Sequence, residues 1–116
     1  MRRSLTRAER LRAGRDIKRI FRTGRKVDVG GLKLLLDRNG TGTNRMAVVV
    51  ARGCGGAVRR NREKRITREA YRSLKELIPP GHDLLFLVGR FGSSFAERRL
   101  LMKQLLKRAG FHEHAD

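Results

Sequence analysis

Two short apolar runs separated by one long helical pattern constrain this sequence most. Residues 46–51 are continuously apolar and rich in valine, and residues 83–88 form a second such run. Runs of this length and composition are typical of strands buried on both faces. Residues 57–78 between them follow a helical pattern, which Pro79 and Pro80 terminate. Two strands joined by a helix are expected to lie parallel in one sheet.

A first helix is predicted over residues 15–22. Ile17 and Phe21 are four residues apart, on one face of such a helix, and Gly24 follows as a C-terminal stop. The arginine-rich residues 1–12 before it carry no sustained pattern, so we expect them to form a flexible tail.

Two extended segments are predicted next, at residues 27–29 and 32–37. The turn sequence Asn-Gly-Thr-Gly at residues 39–42 separates the second segment from the apolar run at 46–51. A turn of this composition between two apolar runs predicts a hairpin that pairs them.

A last helix is predicted to begin after Ser94. Ser94 and Glu97 have the spacing of a capping box, and the helical pattern runs through Ala109 to a stop at Gly110. The elements together predict about four strands covered by three helices. No repeat or linker divides the chain, so a single domain over residues 1–116 is expected.

The charge of the chain indicates the kind of partner it needs. It has 29 Lys and Arg against 11 Asp and Glu, a formal net charge of +18. Self-repulsion at this level lowers stability, so we expect a polyanionic partner, with nucleic acid first and an anionic membrane second. No apolar stretch suits a membrane span and no signal-peptide core follows the N-terminus, so a cytoplasmic protein is expected.

Neither a metal site nor a catalytic centre is predicted in the protein. Cys54 is the only cysteine, and its spacing from His82, His112 and His114 is too irregular for zinc. Paired acids and a Ser/His/Asp set are also missing at recognisable spacing.

The long helix at residues 57–78 separates into an apolar face and a basic face. The residues predicted to face the core are Ile66, Ala70, Leu74, Leu77 and Ile78. The opposite arc is basic or polar and comprises Arg60, Asn61, Lys64, Arg65, Arg68, Arg72 and Lys75. Arg59 and Arg62 fall nearer the apolar side, so the first turn is expected to overhang the core or line a cleft. Because like charges this close destabilise an isolated helix, the basic arc predicts an anionic ligand.

Residues 57–71 resemble the motif of arginine, asparagine and arginine that marks the bacterial ribonuclease P protein family. The three defining residues here are Arg60, Asn61 and Arg62. The similarity continues before and after the motif and covers roughly residues 5–111. An extent of this size makes a chance similarity an unsatisfactory explanation.

This resemblance implies a two-layer α+β sandwich. The sheet is expected to be mixed, with about four strands and three helices, as in the second domain of a ribosomal protein of the small subunit. An unusual left-handed βαβ crossover is expected around the basic helix, an exception to the right-handed rule. Gly53, Gly55 and Gly56 before that helix suit such an abrupt path better than they suit a phosphate-binding loop.

The resemblance also implies a function, in which an RNA subunit carries the active site of an endonuclease that removes the 5′ leader of precursor tRNA. Mg²⁺ is then bound mainly by that RNA, and the protein contributes no catalytic residue. The catalytic RNA is expected to contact Arg59, Arg60, Asn61, Arg62, Lys64, Arg65 and Arg68. A cleft between the sheet and the basic helix is expected to bind the leader through Ile17, Phe21, Leu35, Arg45, Arg52 and Arg90.

Three positions depart from the family pattern. Ile17 and Leu35 stand where the family often has aromatic residues, so leader contacts are expected to depend on Phe21 and on charge. Glu63 stands where many relatives carry an apolar or basic residue, a change whose consequence the sequence leaves open. A structural ribosomal protein and a nonspecific nucleic-acid-binding protein remain the alternative functions, and the oligomeric state stays open.

Overall fold

The chain folds around a four-stranded mixed sheet. The structure is a computed structural model and describes residues 7–11 and 14–111. The strands are β1 (Arg25–Val29), β2 (Leu32–Arg38), β3 (Arg45–Val50) and β4 (His82–Val88), in the order β1-β2-β4-β3. The helices are α1 (Gly14–Thr23), α2 (Ala57–Leu74) and α3 (Phe95–Arg108), with short 3-10 turns at Arg7–Glu9 and Lys75–Leu77. The predicted class, an α+β fold with three helices and four strands, is confirmed.

The two apolar runs form neighbouring parallel strands, as predicted. In their register Arg45 lies opposite Asp83 and Val50 lies opposite Val88. α2 connects β3 to β4, so it is the crossover for which the family resemblance implies a left hand.

The predicted hairpin between β2 and β3 is wrong. β2 pairs with β1 across the turn at Gly30 and Gly31, whose φ values of 56° and 83° favour glycine, and its other neighbour is β4. The segment after β2 crosses the N-terminal end of β4 to reach β3, instead of turning back beside β2. The Asn39 side-chain amide donates to Thr43 O and to Asp83 Oδ1, each at 2.9 Å, which ties that segment to the start of β4.

Two apolar clusters lie on opposite faces of the sheet. The larger cluster joins the sheet to α2 and α3 and includes Phe86, Tyr71, Leu74, Met102 and Leu105. The smaller cluster joins the sheet to α1 and comprises Leu11, Ile20, Leu35 and Leu85, with Ile17, Ala47, Val49 and Leu87 packed beside them. The sheet and the α2–α3 layer therefore form the sandwich, and α1 covers part of the other face.

β3 is an edge strand, and its burial differs from the prediction. Met46, Val48 and Val50 are buried toward α2, whereas Ala47 and Val49 on the α1 face are only half-buried. The reason is that the short helix α1 is the element that covers this face, and it leaves part of β3 open.

The helix α2 is shorter than predicted and buries more residues. It ends at Leu74, and the chain continues as a 3-10 turn before Pro79. Of the residues predicted to face the core, Leu77 is half-buried and the others, Ile66, Ala70, Leu74 and Ile78, are buried. Glu63, Thr67 and Tyr71 are buried as well, because both β3 and α3 pack against this helix.

The predicted capping box of α3 is confirmed. The Glu97 N–H donates to Ser94 Oγ at 3.1 Å, and the Ser94 N–H donates to Glu97 Oε1 at 2.9 Å.

Part of the expected N-terminal tail packs against the sheet. Arg10 forms a parallel bridge with Met46, and the Leu11 N–H donates to Met46 O at 2.9 Å. Residues 7–11 therefore run along the open edge of β3. Residues 1–6 and 12 of the expected tail lie outside the described residues.

Candidate nucleic-acid interface

The first turn of α2 is positioned by the glycines that follow β3. Gly53 and Gly55 have φ values of 97° and 116°, which residues other than glycine rarely adopt, and Gly56 is the N-cap of α2. This turn reverses the chain directly after β3, so the arginines that begin α2 lie beside the end of that strand. The guanidinium of Arg60 donates to Val50 O at 3.2 Å across this corner.

Glu63 is the single acid in the run of residues 59–65, and it points into the protein. Its Oε1 accepts a 2.6 Å hydrogen bond from Arg98, and its Oε2 accepts from the Gly92 N–H at 2.9 Å and from Arg62 at 3.2 Å. Burial alone would raise the pKa of this carboxyl, but the Gly92 and Arg98 bonds outweigh it and hold the pKa below its ordinary value. Glu63 therefore stays ionised and neutralises the buried Arg98.

The remaining side chains of this run form a surface that we call the basic face, with Arg59, Arg60, Asn61, Arg62, Lys64, Arg65 and Arg68. Arg59, Asn61 and Arg65 are exposed, whereas Arg60, Arg62, Lys64 and Arg68 are partly buried. Among the described residues, Arg62 is the one member with an ion pair, to Glu63, and it also donates to Ser93 O at 3.0 Å. The basic face therefore keeps nearly all of its charge for an external partner.

Arg68 lies at the far end of the basic face, where its guanidinium is partly buried close to two other arginines. Its pKa is lowered by burial and by the positive charges of Arg10 and Arg72. Among the described residues none of these three arginines has an ion pair with a carboxylate, so a bound anion would stabilise the group.

Between the sheet and α2, where the leader-binding cleft was predicted, the larger apolar cluster fills the centre, and Tyr71 and Phe86 pack edge to face there with ring centroids 6.1 Å apart. The space stays open at the edge of β3, where Met46, Val48 and Arg68 line part of a pocket. Ile17 and Phe21 lie on α1, across the opposite face of the sheet. The α1 side of the sheet is therefore a second candidate surface for a single strand.

The three apolar residues predicted for leader binding differ in accessibility. Phe21 is 38% exposed, and Ile17 packs half-buried against the smaller apolar cluster. Leu35 is 2% exposed, beneath α1 in the same cluster, so it supports the sheet and is not available to a ligand.

The three cations predicted for leader binding are not gathered at one place. Arg45 is bound by Asp83 through two hydrogen bonds of 2.8 and 2.7 Å, which raise its pKa, so its guanidinium fork is already occupied. Arg52 and Arg90 are exposed, and they follow the C-terminal ends of β3 and β4 respectively. The parallel pairing brings Arg52 and Arg90 to one end of the sheet and leaves Arg45 at the opposite end.

Two buried charged residues escaped the sequence reasoning. Asp83 is fully buried and also accepts from Arg19 of α1 at 2.7 Å, which fixes α1 on the sheet. Burial would raise the pKa of Asp83, but the bonds from Arg45, Asn39 and Arg19 lower it. Arg98 is 1% exposed. The available signal was a charged residue at the start of an apolar strand and another within the apolar pattern of α3.

The described residues hold no group of three or more His, Cys, Asp or Glu side chains placed to bind a metal ion. Across the described helices, none combines the length and apolarity that a membrane crossing requires.

The fold and this surface define a small α+β protein with a basic face suited to a polyanion. The family model described as "Ribonuclease P" matches residues 5–110. The ribonuclease P protein component of Roseiflexus castenholzii is 38% identical over 109 residues, covering 91% of this chain and 89% of that protein. The corresponding protein of Thermotoga maritima is 40% identical over 84 residues, 72% of each chain. The chain therefore belongs to the ribonuclease P protein family.

Solved structures agree with this assignment. The ribonuclease P protein from Thermotoga maritima matches with a TM-score of 0.77 at 36% identity, covering 86% of this chain and 96% of that one. The ribonuclease P protein of Staphylococcus aureus matches with a TM-score of 0.80 over 92% of this chain and 100% of that one. At 23% identity, the second similarity shows the fold alone.

Proposed function

We propose that this chain is the protein subunit of a ribonuclease P holoenzyme in the cytoplasm. It binds the catalytic RNA through the basic face and the 5′ leader of precursor tRNA on the α1 side of the sheet. The RNA carries out the endonucleolytic cleavage that gives the mature 5′ end of tRNA. The observation that carries this proposal is the nearly unpaired charge of the basic face, within a chain that matches its family over residues 5–110.

The chemistry of the basic face supports a phosphate backbone as the ligand. Arginine forks make charge-assisted, often bidentate bonds to phosphate oxygens. Arg59 and Arg65 are exposed, and neither forms an ion pair with another of the residues that the structure describes. Their guanidinium donors are therefore available to phosphate oxygens.

The α1 side of the sheet supports a single-stranded ligand. Ala47, Val49 and Leu87 are half-buried there and form an apolar strip beside α1, with Phe21 exposed on the helix. Lys33 is exposed and shares this face by strand alternation with Leu35. Single strands bind where apolar or aromatic surface meets cations, because unstacked bases and phosphates are satisfied together.

The residues of the basic face do not fit a magnesium site. Mg²⁺ binds through carboxylate oxygens and water, and the only carboxylate in the run, Glu63, is buried against Arg98. Any Mg²⁺ that the reaction needs is therefore proposed to be held by the RNA.

The test is a processing assay with precursor tRNA and a bacterial ribonuclease P RNA, with and without the protein. The protein alone should cleave nothing, and with the RNA it should lower the Mg²⁺ concentration required. A failure to stimulate, together with co-sedimentation with ribosomal particles, would favour the structural ribosomal alternative.

A pair of charge reversals tests the basic face itself. The double variant R59E/R65E should bind the catalytic RNA at least about 100-fold more weakly, because two charge-assisted contacts of about 1.5–3 kcal/mol each are lost. The matched control K103E/K107E reverses the same charge on the exposed side of α3. Equal losses in the two variants would show a general charge effect and would remove the basic face from the interface.

A further inference from the structure

A pocket of about 340 Å³ opens at the edge of β3, between the basic face and the α1 side of the sheet. It is lined by Arg10, Leu11, Ile17, Met46, Ala47, Val48 and Arg68. The N-terminal segment forms one wall, because Arg10 and Leu11 are bound to the backbone of Met46. The other walls come from α1, β3 and α2, so the pocket is built from four separate parts of the chain.

Two arginines line one side of this pocket, and a third lies close to them on α2. Arg10 and Arg68 both line it, and Arg72 lies one helical turn beyond Arg68, at the spacing that brings side chains together. Within the described part of the chain none of the three has an ion pair with a carboxylate. The Nε of Arg72 is buried and has no hydrogen-bond partner there. We call Arg10, Arg68 and Arg72 the arginine triad.

The triad has an electrostatic cost that its own protein does not relieve. Burial and the charges of Arg10 and Arg72 together lower the pKa of Arg68. A phosphate group in the pocket would relieve this repulsion and accept hydrogen bonds from the guanidinium groups of Arg10 and Arg68, which line it.

The opposite side of the pocket is apolar. Leu11, Ile17, Ala47 and Val48 supply aliphatic surface, which suits the flat face of an unstacked base. The volume lies at the lower end of the range for small-molecule pockets, which suits a single nucleotide rather than a duplex.

We propose that this pocket binds one unstacked nucleotide of a single-stranded segment. Its phosphate lies on the arginine triad and its base lies against Leu11 and Ile17. The inference rests on the proposed function for the source of that nucleotide, which is either the leader or a single-stranded region of the catalytic RNA. In both cases the site extends the basic face around the edge of β3 toward α1.

The first experiment measures binding of a labelled single-stranded uridine pentanucleotide to the full chain by fluorescence anisotropy. The variant R10Q/R72Q should bind about 10-fold more weakly, and the slope of log Kd against log salt should fall by about 0.7, the value for one lost phosphate contact on a single strand. The control K103Q/K107Q removes two exposed charges from α3 and should change neither quantity to that extent. Equal effects in the two variants would overturn the triad as a site.

The second experiment tests the base-binding wall without changing any charge. The wild-type chain should bind the uridine pentanucleotide more tightly than an abasic strand of the same length. The variant Ala47→Leu fills the pocket and should abolish this difference while it keeps the salt slope. A variant that still prefers the uridine strand, with an unchanged circular dichroism spectrum, would show that the base lies elsewhere.

The holoenzyme distinguishes the two sources of the nucleotide. If the leader supplies it, R10Q/R72Q weakens binding of leader-bearing precursor tRNA and leaves leaderless tRNA unaffected. If the catalytic RNA supplies it, the variant weakens assembly with that RNA. If the wild type stimulates cleavage but R10Q/R72Q changes neither substrate binding nor assembly, this site is refuted and the proposed function stands. If the wild type binds the pentanucleotide but does not stimulate cleavage, the proposed function is refuted and the site stands.

Discussion

Replacing Glu63 by leucine removes the carboxylate that neutralises the most deeply buried arginine of the protein. Arg98 is 1% exposed and would keep hydrogen bonds to Thr67 Oγ1 at 2.8 Å and Arg90 O at 3.0 Å, but it would have no counter-charge. Breaking a buried ion pair by removing one partner costs about 3–5 kcal/mol. Since a domain has only about 5–15 kcal/mol of stability, E63L should lose between about a fifth and nearly all of it.

The double variant E63L/R98M should recover most of this loss. Thr67 Oγ1 still donates to Glu63 O at 2.8 Å, a backbone bond that the substitution keeps, and the Gly92 N–H is on an exposed residue that water can reach. Arg90 O, which loses the bond from Arg98, is also on an exposed residue, and Arg62 keeps its bond to Ser93 O. Exchange of a whole buried pair for apolar side chains is often neutral when the remaining polar groups keep a partner. A coupling energy of about 2–3 kcal/mol between the two positions is expected.

Urea unfolding of the wild type, E63L, R98M and E63L/R98M measures this coupling from the transition midpoints at a common m-value. E76L is the matched control, because Glu76 is exposed and its substitution should change stability by no more than about 0.5 kcal/mol. The reasoning is refuted if E63L costs under about 1 kcal/mol, or if the two single losses add up in the double variant.

Three further predictions concern other parts of the molecule. Because the pKa of Asp83 is lowered in the fold, the contribution of its carboxylate to stability is complete above the ordinary pKa of 3.8 and is lost as the pH falls through the folded value. D83N should therefore be at least about 2 kcal/mol less stable than the wild type at pH 7, and urea titrations should show this difference shrinking below pH 3.8. Ser94→Ala removes the capping box of α3 and should lower the melting temperature by about 4 °C, and an unchanged melting curve would argue against that cap. Phe21→Ala should weaken binding of leader-bearing precursor tRNA about 10-fold and spare leaderless tRNA, whereas Phe95→Ala, at a similar exposure of 42%, should affect neither.

The elements that the sequence predicted well are those with local signals. The capping box at Ser94 needs only residues three apart, and the parallel pairing of β3 and β4 follows from the helix between them. The helix α1 was also predicted to within one residue at each end, because Gly24 caps it by donating to Ile20 O at 2.9 Å.

The hairpin prediction failed because a strand that comes later in the sequence takes the pairing position. β4 inserts between β2 and β3, and residues 39–44 form the bridge across its end rather than a hairpin turn. The turn composition was read correctly, but a turn sequence does not say which strand will pair after it.

The cations of the predicted site illustrate a second limit. Arg45 and Arg52 are seven residues apart and look equivalent in the sequence, yet Arg45 is held by Asp83 and Arg52 is exposed. What separates them is an acid on a strand 38 residues later, so no local pattern contains the information. A site list carried over from a family resemblance can therefore include an arginine that the fold already holds in an internal ion pair.

Glu63 gives the strongest form of this argument, because its consequence, which the sequence left open, depends on a residue of another helix. In the printed sequence this acid partly cancels the five basic residues at positions 59–65. In the fold it is cancelled instead by Arg98, which comes from α3 and lies in the core. Arg98 offsets the charge of Glu63, so this part of the protein keeps a net charge equal to that of its five cations, although Arg62 is itself ion-paired with Glu63. An acid within a basic helix thus leaves the charge of the basic face undiminished when its counter-ion is buried beneath it, whereas the same acid at an exposed position would reduce that charge.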